Sequence, residues 1–229
     1  MQILKVKNLN VNLSGEKILQ NITLEVNRGE ILTVIGPNGA GKTTLFKALL
    51  NMIPYEGEIK WEPNVRIGYV PQRLDIDIDV PITVKEFFKL RGKIANAKRI
   101  REALSFIQLE ENILKKGLGE ISVGQRQRLL VGWAMMDNPD VLLFDEPTAD
   151  IDIYGQESIL KTISQMRKKL NLTVILISHD LNIVSEYATK VICLNKKNVC
   201  YGPPAKVLTA QNLNELYGGE KAFYEHKHG

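Results

Sequence analysis

One stretch constrains the fold of this chain more than any other. Ile31-Leu32-Thr33-Val34-Ile35 is a short, largely apolar run that passes directly into Gly36-Pro37-Asn38-Gly39-Ala40-Gly41-Lys42-Thr43. Leu45, Ala48 and Leu49 then recur at helical spacing, which predicts a helix from about Lys42 to Leu50. The glycine-rich segment matches GxxxxGK[ST], and the motif carries meaning only between a strand and a helix, the setting predicted here. Its glycines let several backbone N–H groups converge on one point, and the helix N-terminus adds partial positive charge, so the segment suits a phosphate chain. Lys42 is placed for the β- and γ-phosphates and the Thr43 hydroxyl for Mg²⁺. The bland alternative is a glycine-rich turn, but four fixed positions in the right context argue against it. The candidate ATP-binding set is Gly36, Pro37, Asn38, Gly39, Ala40, Gly41, Lys42, Thr43 and Thr44.

The rest of the chain alternates strand and helix patterns around this unit. Ile3–Val6 and Ile22–Val26 read as short alternating strands, with Ser14–Lys17 as the turn between them. Pro54-Tyr55-Glu56-Gly57 reads as a turn, and Val65–Val70 as a strand ending at Pro71. Residues 76–138 change character. Asp75, Asp77 and Asp79 interleave with Ile76, Ile78 and Val80, most simply as a solvated face. Helical stretches follow around Val84–Leu90, Ala97–Ile107 and Gln125–Met136, with no strong strand among them. Strands return at Val141–Phe144, Thr173–Ile177 and Val191–Leu194, separated by helices at Gln156–Leu170 and Leu181–Tyr187. Such alternation implies an α/β fold with a parallel sheet. We therefore expect a single domain over 1–229, with an α/β core in 1–75 and 139–195. A helical subdomain fills 76–138, and 196–229 forms a C-terminal extension.

Two acids close the strand Val141-Leu142-Leu143-Phe144. A buried strand of such a sheet emerges at the carboxyl edge, where ligands of α/β proteins sit. Asp145 is placed to hold Mg²⁺, and Glu146 to polarise an attacking water. His179 leaves the same edge after the strand Thr173–Ile177 and Ser178, which favours contact on the γ-phosphate side.

Composition narrows the partners. The chain has 229 residues, 44% hydrophobic and 24% charged, and its formal net charge of +4 is too small and dispersed to argue for nucleic acid. Cys193 and Cys200 make neither a disulfide framework nor a CxxC pair, which fits a reducing compartment; a buried structural role suits them better than metal binding. His226 and His228 sit in a short tail that we expect to be disordered. No apolar run approaches the roughly 20 residues needed to cross a bilayer, and the N-terminus lacks a secretory layout. Any membrane role therefore runs through a partner.

Four further segments, in order, carry a resemblance. Gln72 in Tyr69-Val70-Pro71-Gln72 resembles the Q-loop of ABC ATPases, and Ile121-Ser122-Val123-Gly124-Gln125 resembles their LSGGQ signature. Pro147-Thr148-Ala149-Asp150-Ile151-Asp152 is similar to the D-loop region, with Asp152 at its aspartate, and Ser178-His179-Asp180 to the switch-histidine segment. The resemblance implies a P-loop NTPase core with a mixed sheet, an N-terminal antiparallel β part and an inserted helical subdomain. It implies catalytic roles for Glu146, His179 and Gln72, and Mg²⁺ held through Thr43, Gln72 and Asp145. It also implies a head-to-tail homodimer in which Ser122, Val123, Gly124 and Gln125 of one subunit meet the ATP of the other. Two residues depart from the pattern: Val123 replaces the first signature glycine, and Leu13 stands where an aromatic often stacks on adenine. Within the family, YVPQRLDIDIDVPITV from Tyr69 to Val84, VICLNKKNVCYGPP from Val191 to Pro204, and the His-containing tail resemble the ATPases of bacterial zinc or manganese importers. That implies integral membrane permease partners, indirectly a solute-binding protein, and a peripheral place on the cytoplasmic face of the inner membrane. Import of manganese or iron, and a non-transport ABC clamp on ribosomes or DNA, remain as alternatives.

Overall fold

The computed structural model of the chain describes residues 1–72, 80–146 and 153–218, without the side chains of 153–159 and 166. Among these, two compact units stand out: residues 1–63 with 175–218, and the described residues of 64–174.

In the first unit, β1 (Gln2–Leu13) pairs antiparallel with β2 (Glu16–Asn27) and with β4 (Glu56–Trp61). Both long strands run through residues with positive φ, Asn8 and Asn21, and the β1–β2 register shifts on either side of Leu9. The two short strands read from sequence are thus the most regular parts of longer, kinked ones. β4 takes in Glu56 and Gly57, which read from sequence as the end of a turn. Its Trp61 indole N–H donates to the Leu49 carbonyl (3.0 Å) and so caps the end of the first helix.

The second sheet layer holds β3 (Ile31–Ile35), buried at every position, which runs parallel to β8 (Lys190–Asn195). β8 pairs antiparallel with β9 (Lys197–Gly202), so the sheet is mixed. α1 (Lys42–Leu49) leaves the glycine-rich loop and buries Leu45, Phe46, Ala48 and Leu49. α6 (Leu181–Tyr187) starts at Asp180, whose carboxylate accepts from the Asn182 and Ile183 amides. Ile35, Val184, Val191 and Cys193 form a core that Val207 and Leu216 complete, supplied by α7 (Pro204–Val207) and α8 (Ala210–Tyr217). Residues 196–218 are accordingly part of this core.

The cysteines need a correction. Read as separate buried thiols, Cys193 and Cys200 are joined in a disulfide. Spacing alone did not reveal it, because the pairing comes from register. The β8–β9 ladder sets the two directly opposite, with Cα atoms 4.8 Å apart.

In the second unit, β5 (Ile67–Val70) runs parallel to β6 (Val141–Asp145). The helices are α2 (Val84–Lys89), α3 (Ala97–Phe106), α4 (Val123–Met135) and α5 (Ile153–Leu170). Thr83 and Glu86 form a reciprocal capping box on α2, and Asn96 caps α3. Arg91 pairs with Asp137 and lies 4.1 Å from the Trp133 ring centroid, while Trp133 stacks on Phe87. These contacts tie the end of α2 to the end of α4. β7 (Thr173–Ile177) is buried at every position; its first two residues belong to this unit and Ile175–Ile177 to the first.

Candidate nucleotide site

The loop Gly36–Thr43 hangs between β3 and α1. Gly41 is the N-cap residue of α1, in the left-handed region at φ 93°, and brings no side chain to cap the helix. A side chain there would also strike Leu19, whose Cδ2 would lie 2.6 Å from its Cβ. Gly39 is likewise left-handed at φ 79°. The helix start thus carries neither a capping side chain nor an acidic residue in its first turn. That is the arrangement an anion-binding helix start needs. The Lys42 ammonium folds back onto the loop, donating to the carbonyls of Gly36 (2.9 Å) and Pro37 (3.1 Å). A lysine only 7% exposed is held by carbonyl oxygens that a phosphate oxygen can replace. Thr43 is exposed and Thr44 half-buried.

His179 stands beside this loop. The Ser178 amide donates to the Val34 carbonyl (3.2 Å), two residues before Gly36, and Asp180 caps α6 on the other side. His179 is therefore an exposed side chain between two anchored neighbours.

The acids gather in the other unit. Tyr69 pairs with Leu143 and Val70 with Phe144 across the parallel ladder, so the chain ends that follow emerge side by side. The Tyr69 hydroxyl lies 3.4 Å from Asp145 Oδ2, and Gln72 Nε2 donates to Glu146 Oε2 (3.3 Å). Asp145 is buried, and Glu146 is half-buried with φ 48°. A positive φ at a glutamate is uncommon and costs on the order of 1 kcal/mol or more, which the surrounding structure must hold in place. Neither Tyr69 nor this backbone was marked as functional in the sequence. The strand ending Tyr69-Val70-Pro71-Gln72 was the available signal.

The signature segment opens α4. The Ser122 hydroxyl accepts from the Gln125 amide (3.1 Å), and the Gln125 side chain accepts from the Ser122 amide (3.0 Å). Val123 is 44% exposed and Gly124 half-buried. Arg126 donates to the carbonyls of Leu118 and Ile121, which fixes the approach to the helix. Asp75, Asp77, Asp79, Asp150, Asp152, His226 and His228 lie outside the described residues.

A family model described as ABC transporter matches residues 19–149. The chain belongs to this family. It is 39% identical over 96% of its length to a protein of Hahella chejuensis named zinc import ATP-binding protein ZnuC 1, covering 85% of that protein. A Pasteurella multocida protein, zinc import ATP-binding protein ZnuC, is 37% identical over all of this chain and 88% of its own length. Among solved structures, a chain of an ABC transporter in an inward-facing conformation superposes with a TM-score of 0.84 at 28% identity, covering 94% of this chain and 89% of that one. CbiO1 of Clostridium perfringens, described as part of the ABC transporter complex cbiONQ, gives 0.79 at 29% identity, with 93% of each chain covered. The fold is the α/β P-loop NTPase fold with an antiparallel N-terminal sheet. As a member of the family the chain is an ATP-binding ATPase coupled to transport.

Proposed function

We propose that this chain is the ATP-hydrolysing subunit of an importer for a transition metal, zinc first, working as a homodimer beneath integral membrane permease subunits. The start of α1 carries the nucleotide assignment, because its glycine-capped N-terminus and Lys42 together offer one anion a convergent set of donors. The zinc assignment rests on relatives named for zinc import that match nearly the whole chain.

ATP reacts with water to give ADP and phosphate. Gly36–Thr44 bind the phosphate chain, and Lys42 exchanges its two carbonyl partners for phosphate oxygens. Glu146 accepts a hydrogen bond from the attacking water and polarises it. His179 contacts the γ-phosphate, and Gln72, bonded to Glu146, reports the γ-phosphate to the helices α2, α3 and α4 that follow it in the chain. The donor set Thr43, Gln72 and Asp145 is all hard oxygen, which fits Mg²⁺, and the bound ion would neutralise charge developing on the phosphates. One chain holds one phosphate loop and one signature, so Ser122–Gln125 meet the ATP of the partner subunit. No described helix is long and apolar enough to cross a membrane, so the pathway for the ion belongs to the permease. A solute-binding protein delivers the ion, and the ATPase sits peripherally on the inner face of the membrane.

Deleting the gene tests this reading. Growth under zinc chelation should slow, and added zinc should restore it better than manganese or iron. Rescue only by manganese or iron would move the assignment to another metal. Normal growth under chelation, without an integral membrane protein co-purifying, would remove the transport role.

A further inference from the structure

The end of β8 and the β8–β9 turn, residues 194–197, have no role in the function proposed so far, yet they touch the phosphate loop at two points. The Lys196 amide donates to the Ala40 carbonyl at the loop's crest (3.0 Å). At the loop's base, any Cβ on Gly36 would collide with the Leu194 carbonyl, so that backbone closes directly on the loop. The Lys196 peptide is also held from behind. Its carbonyl accepts from the Gln20 amide of β2 (2.7 Å), and its ammonium pairs with Glu16 (2.8 Å). Asn198 donates to the Thr23 carbonyl (2.7 Å), the Tyr201 hydroxyl bonds the Glu25 backbone, and the Cys193–Cys200 disulfide closes the hairpin behind the turn. Lys196 itself has φ 58°, a left-handed conformation that a lysine seldom adopts unless its surroundings impose it.

We propose that this turn, acting through Lys196, is a positioning element that keeps the phosphate loop in its nucleotide-receiving shape. The physical reason is entropic. A loop with glycines at φ 79° and 93° has many accessible shapes, and any that must be frozen on binding subtracts from affinity. A hydrogen bond at Ala40 and a contact at Gly36 pre-order the loop from outside before ATP arrives. Lys196 is a positioning residue: it touches the loop through Ala40 and touches no reacting atom. The inference rests on the phosphate loop being the ATP site.

Proline and glycine at position 196 separate the effects. Lys196→Pro removes the amide and excludes positive φ, whereas Lys196→Gly keeps both and loses only the Glu16 pair. By calorimetry, Lys196→Pro should weaken ATP binding about tenfold or more, with KM rising more than kcat falls at saturating ATP. Lys196→Gly should recover affinity to within about threefold of the parent. A folded Lys196→Pro protein with parental Kd and KM, or a glycine variant as weak as the proline one, overturns the proposal. If Lys196→Pro fails to fold, hydrogen exchange on the parent decides. ATP should slow exchange in residues 194–198, and the Lys42→Ala protein should show no such slowing. Unchanged exchange in the parent overturns the proposal. If Lys42→Ala binds ATP like the parent, the loop assignment itself falls and takes this inference with it. If Lys42→Ala loses ATP while Lys196→Pro keeps it, only the positioning role is lost.

Discussion

Two helix starts in this protein, those of α1 and α4, look alike in sequence and differ in chemistry. Both follow a short segment containing glycine, and both are tied by their motifs to phosphate. At α1 the N-cap is Gly41, which brings no side chain to the first turn, and an ammonium waits beside it. At α4 the N-cap is Ser122, whose hydroxyl is already engaged by the Gln125 amide in a complete capping box. The first start is built to be completed by a ligand. The second is complete as it stands, so the anion contact proposed for it would be shared with its own cap. In the dimer proposed above, α4 would be a second jaw whose start is capped without nucleotide, while α1 would supply the affinity.

The largest test of that division comes at the acid that follows both helices in the chain. Glu146→Gln removes the charge that polarises water and should lower turnover by roughly 10²–10⁴-fold while leaving ATP bound. The stalled protein should run as a nucleotide-dependent dimer in size-exclusion chromatography with ATP and Mg²⁺. A monomer at every ATP concentration would separate the α4 jaw from the nucleotide altogether.

Next in size is Lys42→Ala, which strikes only the α1 side. Losing a charged donor should weaken ATP binding about ten- to hundredfold and abolish measurable hydrolysis, with little change in thermal stability. Retained ATPase activity in that variant would take the affinity away from α1.

Ser122→Ala sharpens the contrast from the other side. Removing the cap should cost about 1 kcal/mol of stability, read as a lower midpoint in urea. ATP binding by the monomer should hold, while ATP-driven dimerisation weakens. A variant that is less stable yet dimerises as the parent does would make the signature serine purely a cap.

The smallest effect lies in the framework that carries α1. Partial burial works against the Glu30 carboxylate, but the Asn27 backbone and side-chain donors and Lys190 outweigh it and hold its pKa below the ordinary 4.5. Its contribution is therefore full at neutral pH and fades as the pH falls through 4.5 and below. Lys190 behaves in the opposite sense. Burial lowers its pKa, but Glu30 and Tyr201 raise it above 10.5, so its contribution is lost only as the pH rises past that value. Glu30→Gln should cost about 0.5–1 kcal/mol at pH 7 and almost nothing at pH 3, measured by denaturant unfolding. A cost that persists unchanged at pH 3 would assign it to packing.

The division between what was legible and what was not follows from the range of the interactions. The α1 start, the acid-ending strand β6 and the alternation of strands and helices around them are written within a few residues, so local pattern reveals them. Gln72 beside Glu146 is halfway: each end was marked by its own motif, but the 3.3 Å contact needs the β5–β6 register. Other features depend on residues far apart in the chain. β4 has little alternation and exists because β1 offers it an edge. Cys193 meets Cys200 because the β8–β9 ladder sets them opposite, and residues 204–217 join the core because β8 leaves a face for Val207 and Leu216. Lys196 reads as one of two adjacent turn lysines until its amide is found on Ala40, across more than 150 residues of chain. By itself the sequence determined the nucleotide chemistry and the order of elements, because glycine freedom, charge and hydrophobic period act locally. Tertiary structure alone decided what holds the phosphate loop in shape, because backbone hydrogen bonds between distant strands leave no trace in side-chain pattern.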